Sequence, residues 1–193
     1  VKISAVRNIK HLKPVLKDPQ KNPDKEIYWV FTDMTNGKWA NMTVVTAEMI
    51  GNEYPKTFGH YHTKTINETT RVLIGEGIYQ IQKKHFNTKG EWVHNMVDAV
   101  YLVKGEPGDE ILTTPDYAHS WTNVGKYPLV TYDDWRSGHT ELDYEQIEKL
   151  HGMAYYITSK NGTLELVPNQ AYKDLPPPKI VSAKNYAELV GLS

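Results

Sequence analysis

Between Thr57 and Glu68 the chain reads Thr-Phe-Gly-His-Tyr-His-Thr-Lys-Thr-Ile-Asn-Glu. Successive side chains of an extended segment point to opposite faces, so His60 and His62 face the same way if this stretch is a strand. Neutral imidazole is the commonest protein ligand for a divalent metal, and two at this spacing can grip one ion. Glu68 can return to that face after an irregular passage through residues 63–67, adding a carboxylate oxygen. Two histidines and a carboxylate leave coordination positions open, as a catalytic metal requires and a structural one does not.

The bulk properties narrow the setting. The 193 residues suit one domain with a proper core. Hydrophobic residues at 39% and charged residues at 23% exclude a disordered chain. With 22 basic against 23 acidic residues the net charge is −1, so no strong field draws nucleic acid or an anionic membrane. No apolar run is long enough to span a bilayer, and no signal peptide is visible, which makes cytoplasm the expected compartment. The absence of cysteine rules out disulfides and thiolate ligands; any metal must be held by nitrogen and oxygen.

The elements that must position these groups read as short strands. Residues 1–25, rich in lysine and proline, are expected to form a surface arm, with a helical turn around Ile9–Leu16 that Pro14 limits. Strands are expected at Ile27–Thr32 and Ala40–Met49 across a Thr35–Lys38 hairpin turn. Others are expected at Arg71–Ile74 and Ile78–Lys83 across a Gly75-Glu76-Gly77 hairpin, and over Trp92–Val103, Glu110–Thr113 and Leu129–Asp133. Turns fall at Asn87–Gly90 and Gly105–Asp109, and a short loop at Thr114–Asp116. A helix is expected over Leu142–Leu150. Ala154–Thr158 should pair with Thr163–Val167 across an Asn161-Gly162 turn. The 171–193 tail carries a Pro176-Pro177-Pro178 spacer and a helix over Ala183–Leu189 capped by Ser182. Strands at roughly ten-residue intervals suggest an all-β sandwich or barrel.

His60-x-His62, Glu68, Gly75, Gly108, His119 and Asn123 together resemble the paired motifs of the cupin superfamily. The resemblance implies an all-β, single cupin domain (a double-stranded β-helix or jelly roll) with a few short peripheral helices and a barrel core over 26–170. It adds His119 to the ligand set, giving three histidines and one glutamate. The chain departs from the usual pattern in a longer His62–Glu68 spacing, in Tyr54 for a common glycine, and in Thr114 and Asp116 for the usual proline and glycine.

Within cupins, the chain from about Tyr28 to Gln170 is most similar to the archaeal-type, metal-dependent glucose-6-phosphate isomerase family. The matching residues are Thr43-Val44-Val45, Thr57-x-Gly59-His60-x-His62, Gly75-Glu76-Gly77, Tyr117-Ala118-His119, Gly138-His139 and Asp143-Tyr144. The resemblance implies a phosphate pocket from Thr43, Thr57, Gly59 and His139, with Tyr28 and Tyr144 also touching sugar or phosphate. Thr70 stands where the family usually has an aromatic residue. The implied activity interconverts glucose 6-phosphate and fructose 6-phosphate, with His60, His62, Glu68 and His119 holding a catalytic divalent metal and Glu68 available as base. Enediol and hydride-shift routes both fit. Ligation by N and O suits Fe²⁺ or Mn²⁺ best, with Zn²⁺ or Ni²⁺ as other possibilities. A homodimer and a sugar-phosphate partner are implied as well. Hydroxyls and backbone N–H groups can hold a phosphate, so arginine is not required. Because a cupin fold supports many functions, a metal-dependent dioxygenase and a non-catalytic sugar-binding cupin stand as alternatives. His11, His85, His94 and His151 read as surface residues.

Overall fold

A computed structural model describes residues 1–19 and 23–191. Twelve strands run in chain order: β1 (Lys2–Asn8), β2 (Glu26–Thr32), β3 (Asn41–Val45), β4 (Glu68–Ile74), β5 (Gly77–Phe86), β6 (Trp92–Gly105), β7 (Glu110–Thr113), β8 (Tyr117–Asn123), β9 (Leu129–Asp133), β10 (Tyr155–Lys160), β11 (Thr163–Pro168) and β12 (Lys179–Ser182). The helices are short: α1 (Ile9–Leu12), a 3₁₀ turn (Lys13–Val15), α2 (Glu141–Lys149) and α3 (Ala183–Leu189). A six-stranded sheet in the order β1-β2-β3-β9-β4-β7 faces a four-stranded sheet β12-β6-β5-β8, with β10-β11 as a separate hairpin. The two larger sheets bury one core between them. Ile27, Val45, Val72, Ile111 and Leu129 come from the first, and Tyr79, Ile81, Tyr101, Val103 and Trp121 from the second. This is the all-β two-sheet arrangement expected of a jelly roll.

Several local expectations are corrected. The described residues of the 1–25 stretch are not a surface arm. β1 pairs antiparallel with β2, from Lys2 opposite Thr32 to Asn8 opposite Glu26, while Ile9, Leu12 and Val15 sit in the core. The lysines that suggested a solvated arm (Lys10 and Lys13) project from a helical turn whose other face is buried. The expected Ile9–Leu16 turn is there as α1 and the 3₁₀ segment, with Pro14 at the start of the latter, where a missing N–H costs nothing.

Gly75-Glu76-Gly77 is not a hairpin either. β4 and β5 belong to different sheets, so the tripeptide is a crossover between layers. At Gly75 φ is +85°, and a Cβ there would stand 2.6 Å from the Pro128 carbonyl oxygen. Glycine is needed because the backbone turns left-handed against another segment, a requirement that reads like a hairpin in sequence. Gly105–Asp109 likewise carries β6 over to β7 in the other sheet. The tail also joins the sheets: β12 runs parallel to β6, Lys179 opposite Tyr101. The proline spacer delivers it, anchored by the Tyr155 hydroxyl donating to the Pro176 carbonyl at 2.9 Å.

Other elements match their sequence signals. The β10–β11 hairpin turns at Asn161 and Gly162, both with positive φ. Ser182 accepts a hydrogen bond from the Asn185 N–H to cap α3. Asn123 is fully buried at the end of β8; its amide donates to the carbonyls of Val45, Thr46 and Tyr127, and its oxygen accepts from the Gly125 N–H. It ties the end of the four-stranded sheet to β3 of the facing one.

Candidate metal centre

The histidine stretch does not form a regular strand. It runs along the free edge of β8 through separate bridges, Lys56 opposite Thr122 and His60 opposite His119. The Thr57 N–H donates to the Trp121 carbonyl at 2.8 Å, and His60 and His119 exchange backbone bonds at 3.2 and 3.0 Å. Gly59 interrupts the ladder with φ +84°. A side chain there would press on Met153 Sδ at 3.1 Å and Ser120 Cβ at 3.2 Å. That bend re-aims the next residues, and His60 and His62 still converge, their Nε2 atoms 3.0 Å apart.

Glu68, the first residue of β4, reaches the same point from the facing sheet. Its Oε2 lies 3.0 Å from His62 Nε2 and 3.5 Å from His119 Nε2. One ligand atom from each of His60, His62, Glu68 and His119 falls within 4.8 Å of all the others, so this group can hold a metal ion. The donor set fits one closely. Both nitrogens of His119 and Oε2 of Glu68 are buried without a hydrogen-bond partner, the 3.0 Å approach of His62 notwithstanding, because its geometry is not that of a hydrogen bond. Buried polar atoms are rarely left so, and an ion satisfies all of them at once.

The electrostatics agree. Burial first, and the neighbouring histidines after it, hold the His60 and His119 rings well below the usual imidazole range. Burial brings His62 down to about 4. These rings are neutral near pH 7, as ligation requires. Burial, reinforced by the charge of Asp134, pushes Glu68 up to about 8. Four buried polar groups without a central cation are therefore an electrostatically costly arrangement.

His60, Glu68 and His119 line a cavity of about 450 Å³ between the sheets, with His62 against them but outside its lining. Every other residue expected at a substrate site lines the same cavity: Tyr28, Thr43, Thr57, Gly59, His139 and Tyr144. Tyr28 on β2 and Thr43 on β3 point inward by strand alternation. Thr57 Oγ1 accepts from the Trp121 N–H at 3.0 Å and lies 3.2 Å from Ser120 Oγ, whose own proton goes to the Thr57 carbonyl at 2.9 Å. His139 is not a detached surface residue; its ring centroid lies 4.3 Å from that of His60. Tyr144 on α2 packs 5.4 Å from His60. Thr70 accepts from the Trp121 indole at 3.2 Å and donates to the Tyr132 carbonyl at 3.0 Å. Its small side chain thus serves packing between β4, β8 and β9.

Three residues of the site were given no role by sequence reasoning, although Asp143 belongs to one of the matching motifs. Trp135 stacks on His62 with centroids 3.8 Å apart. Asp143 accepts from the backbone and hydroxyl of both Thr63 and Thr140, tying the chain after His62 to the loop that carries His139. The Thr140-x-x-Asp143 capping box at the start of α2 was a readable signal for the second half of that role. Asp133, whose Oδ1 accepts from Asn41 and the Trp135 N–H, also lines the cavity, its carboxyl pushed up to about 7 by burial and then by Glu68. Among the expected surface histidines, His85 pairs with Asp98 at 2.6 Å, and His11, His94 and His151 are exposed.

Comparisons with known proteins follow the same line. Two solved structures are similar at 14% identity over 55% of this chain. One is oxalate oxidase in complex with the substrate analogue glycolate (40% of that chain, TM-score 0.36). The other is a cupin domain of an XRE-family transcriptional regulator from Enterobacter cloacae (92% of that chain, TM-score 0.34). Likeness this distant bears no functional weight. A glucose-6-phosphate isomerase from Thermococcus onnurineus (strain NA1) is 28% identical over 134 residues, 68% of this chain and 62% of the relative. The match thus spans less than two thirds of that relative. The family model described as glucose-6-phosphate isomerase matches residues 8–176, most of the chain, and by that match the chain belongs to the glucose-6-phosphate isomerase family.

Proposed function

We propose that this protein interconverts glucose 6-phosphate and fructose 6-phosphate with a divalent metal held by His60, His62, Glu68 and His119. The observation that carries this reading is the convergence of those four ligands, with orphaned nitrogen and oxygen atoms, at the wall of a substrate-sized cavity in a chain of this family. A bound divalent ion supplies Lewis acidity at the sugar carbonyl; the N/O donor set suits Fe²⁺ or Mn²⁺ best.

The chain's own residues do the rest. The buried rings of His60, His62 and His119 are neutral and offer lone pairs. Glu68, enclosed between the two sheets, is the group suited to take a proton from one of the two adjacent sugar carbons and return it to the other. Thr43 and Thr57 offer hydroxyls, and the Gly59 N–H has no acceptor among the described residues, so together they can receive phosphate oxygens. Tyr28, Tyr144 and His139 close the cavity around the sugar and limit water. The working unit in this reading is a homodimer in the cytoplasm.

The test is isomerisation of fructose 6-phosphate by protein stripped with chelator and refilled separately with Fe²⁺, Mn²⁺ or Zn²⁺. Activity should return with metal and be absent from His60→Ala. Stoichiometric metal binding without isomerisation in any form would leave a metal-binding cupin and remove the isomerase.

A further inference from the structure

Of the four ligand residues, His62 has the weakest hold from its own backbone. His60 and His119 exchange backbone hydrogen bonds across their bridge, and Glu68 opens a regular strand. His62 lies past that bridge on irregular chain, and neither its N–H nor its carbonyl is paired among the described residues. Asp143 holds the chain on either side of it. The Asp143 carbonyl accepts from the Tyr61 N–H at 3.0 Å, and its carboxylate accepts from the Thr63 N–H at 2.8 Å. These bonds place the backbone but leave the imidazole free to turn about its side-chain torsions.

Trp135 fixes the ring instead. The indole and the His62 imidazole have centroids 3.8 Å apart and planes 20° from parallel, closer than the spacing of about 4.5–7 Å that most aromatic pairs adopt. Trp135 is itself immobilised at each of its polar groups. Its backbone N–H donates to Asp133 Oδ1 at 3.0 Å, and its indole N–H donates to the Gly138 carbonyl at 2.9 Å. Its carbonyl accepts from the Asn41 side-chain amide at 2.6 Å, and that same amide donates to Asp133 Oδ1 at 2.6 Å. Asn41 on β3 and Asp133 at the end of β9 thus clamp the indole in one place. Both stacked rings are buried, yet Trp135 lines the cavity and His62 does not. A water or substrate oxygen that approaches His62 from the cavity meets the indole.

We infer that Trp135 is a positioning residue of the metal centre: it holds the His62 ring in its ligating orientation and screens it from the cavity, so that the ion is retained. This rests on the metal-centre reading of the four ligands. An imidazole that has given its lone pair to a divalent ion is electron-poor, and indole offers the best π face among the side chains for such a partner. The stack is therefore stronger when the site is filled. By linkage, it raises metal affinity by the same factor.

The test is Zn²⁺ binding in the wild type, Trp135→Phe and Trp135→Ala, followed by competition with a chromophoric chelator and by tryptophan fluorescence. Loss of a partner that orients a ligating histidine weakens binding roughly ten- to hundredfold. Trp135→Ala should show that deficit and release Zn²⁺ to excess chelator correspondingly faster. Trp135→Phe keeps an aromatic face and should recover much of both, while losing most of the change in tryptophan emission that Zn²⁺ causes in the wild type. A cycle with His62→Ala separates positioning from general support of the fold: without the imidazole, Trp135→Ala should change Zn²⁺ affinity no further. Unchanged Zn²⁺ affinity and release in Trp135→Ala would overturn the inference. So would an equal loss with and without His62, accompanied by a lowered melting temperature of the metal-free protein. Either result beside normal wild-type binding removes the positioning role alone, whereas a wild type that binds no divalent ion removes the metal centre and the isomerase reading with it.

Discussion

Replacing Glu68 with glutamine should stabilise the metal-free protein, and increasingly so as pH rises. The folded carboxyl titrates at about 8 against an ordinary value of 4.5, because burial between the sheets penalises its charged form. A raised carboxyl pKa means that the folded state binds the proton more tightly than the unfolded state. The stability contribution is therefore largest below pH 4.5 and is lost as pH climbs toward 8. Integrated over that range, the cost is about 2 kcal/mol at pH 6 and about 4 kcal/mol at pH 8. His62 and His139, both lowered to about 4, have the opposite sign: their cost grows as pH falls below 6.5 and is absent above it. Asp133, raised to about 7, shares the sign of Glu68. All three remain in the variant, but Asp133 loses the Glu68 charge that helps to raise it, so the difference between the two proteins reports Glu68 together with its coupling to Asp133.

The assay is thermal or urea denaturation of chelator-treated wild type and Glu68→Gln at pH 6, 7 and 8. The stability gap in favour of the variant should widen by about 2 kcal/mol between pH 6 and 8, or roughly 4–8 °C in melting temperature for a chain of this size. Adding Mn²⁺ should reverse the order, since only the wild type keeps the full ligand set and gains binding free energy on the folded side. A gap that stays constant across this pH range would refute the claim that an uncompensated buried carboxyl is what the metal-free site stores.

Two further outcomes follow from the same structure. Metal binding at pH 7 should release about one proton per site, because Glu68 is protonated in the empty cavity; calorimetry in two buffers of different ionisation enthalpy would give identical heats if that were wrong. Asn123→Ala should cost about 2–4 kcal/mol, leaving three carbonyls and the Gly125 N–H without their partner. Its urea midpoint should drop while metal stoichiometry stays at one, and loss of metal at unchanged stability would contradict the structural role.

How much of this was legible in the sequence depended on how local the signal was. The Asn161-Gly162 hairpin, the Ser182 cap and the short β-rich runs were readable because turn and cap chemistry act within a few residues. β1 was not, since an edge strand with one polar face and interspersed lysines looks like a solvated arm until a neighbour pairs with it. Gly75-Glu76-Gly77 read as a hairpin because a left-handed glycine serves a reversal and a crossover equally well. Which one it is depends on Pro128, more than fifty residues away.

The sequence alone determined the ligand chemistry. Without cysteine, and with His60-x-His62 beside Glu68 and a later His119, a nitrogen and oxygen site was the one metal chemistry open to this chain. Only the tertiary structure decided that the four meet. His60 and His62 ride an irregular segment on the edge of β8, Glu68 begins a strand of the opposite sheet, and their atoms come within reach because the sheets pack face to face. The same packing stacked Trp135 on His62 and set Asp143 between two loops. Those contacts join residues tens of positions apart, where no spacing rule operates. They were fixed by the shared core, whose formation removes the carboxyl and the imidazoles from water and so shifts their protonation.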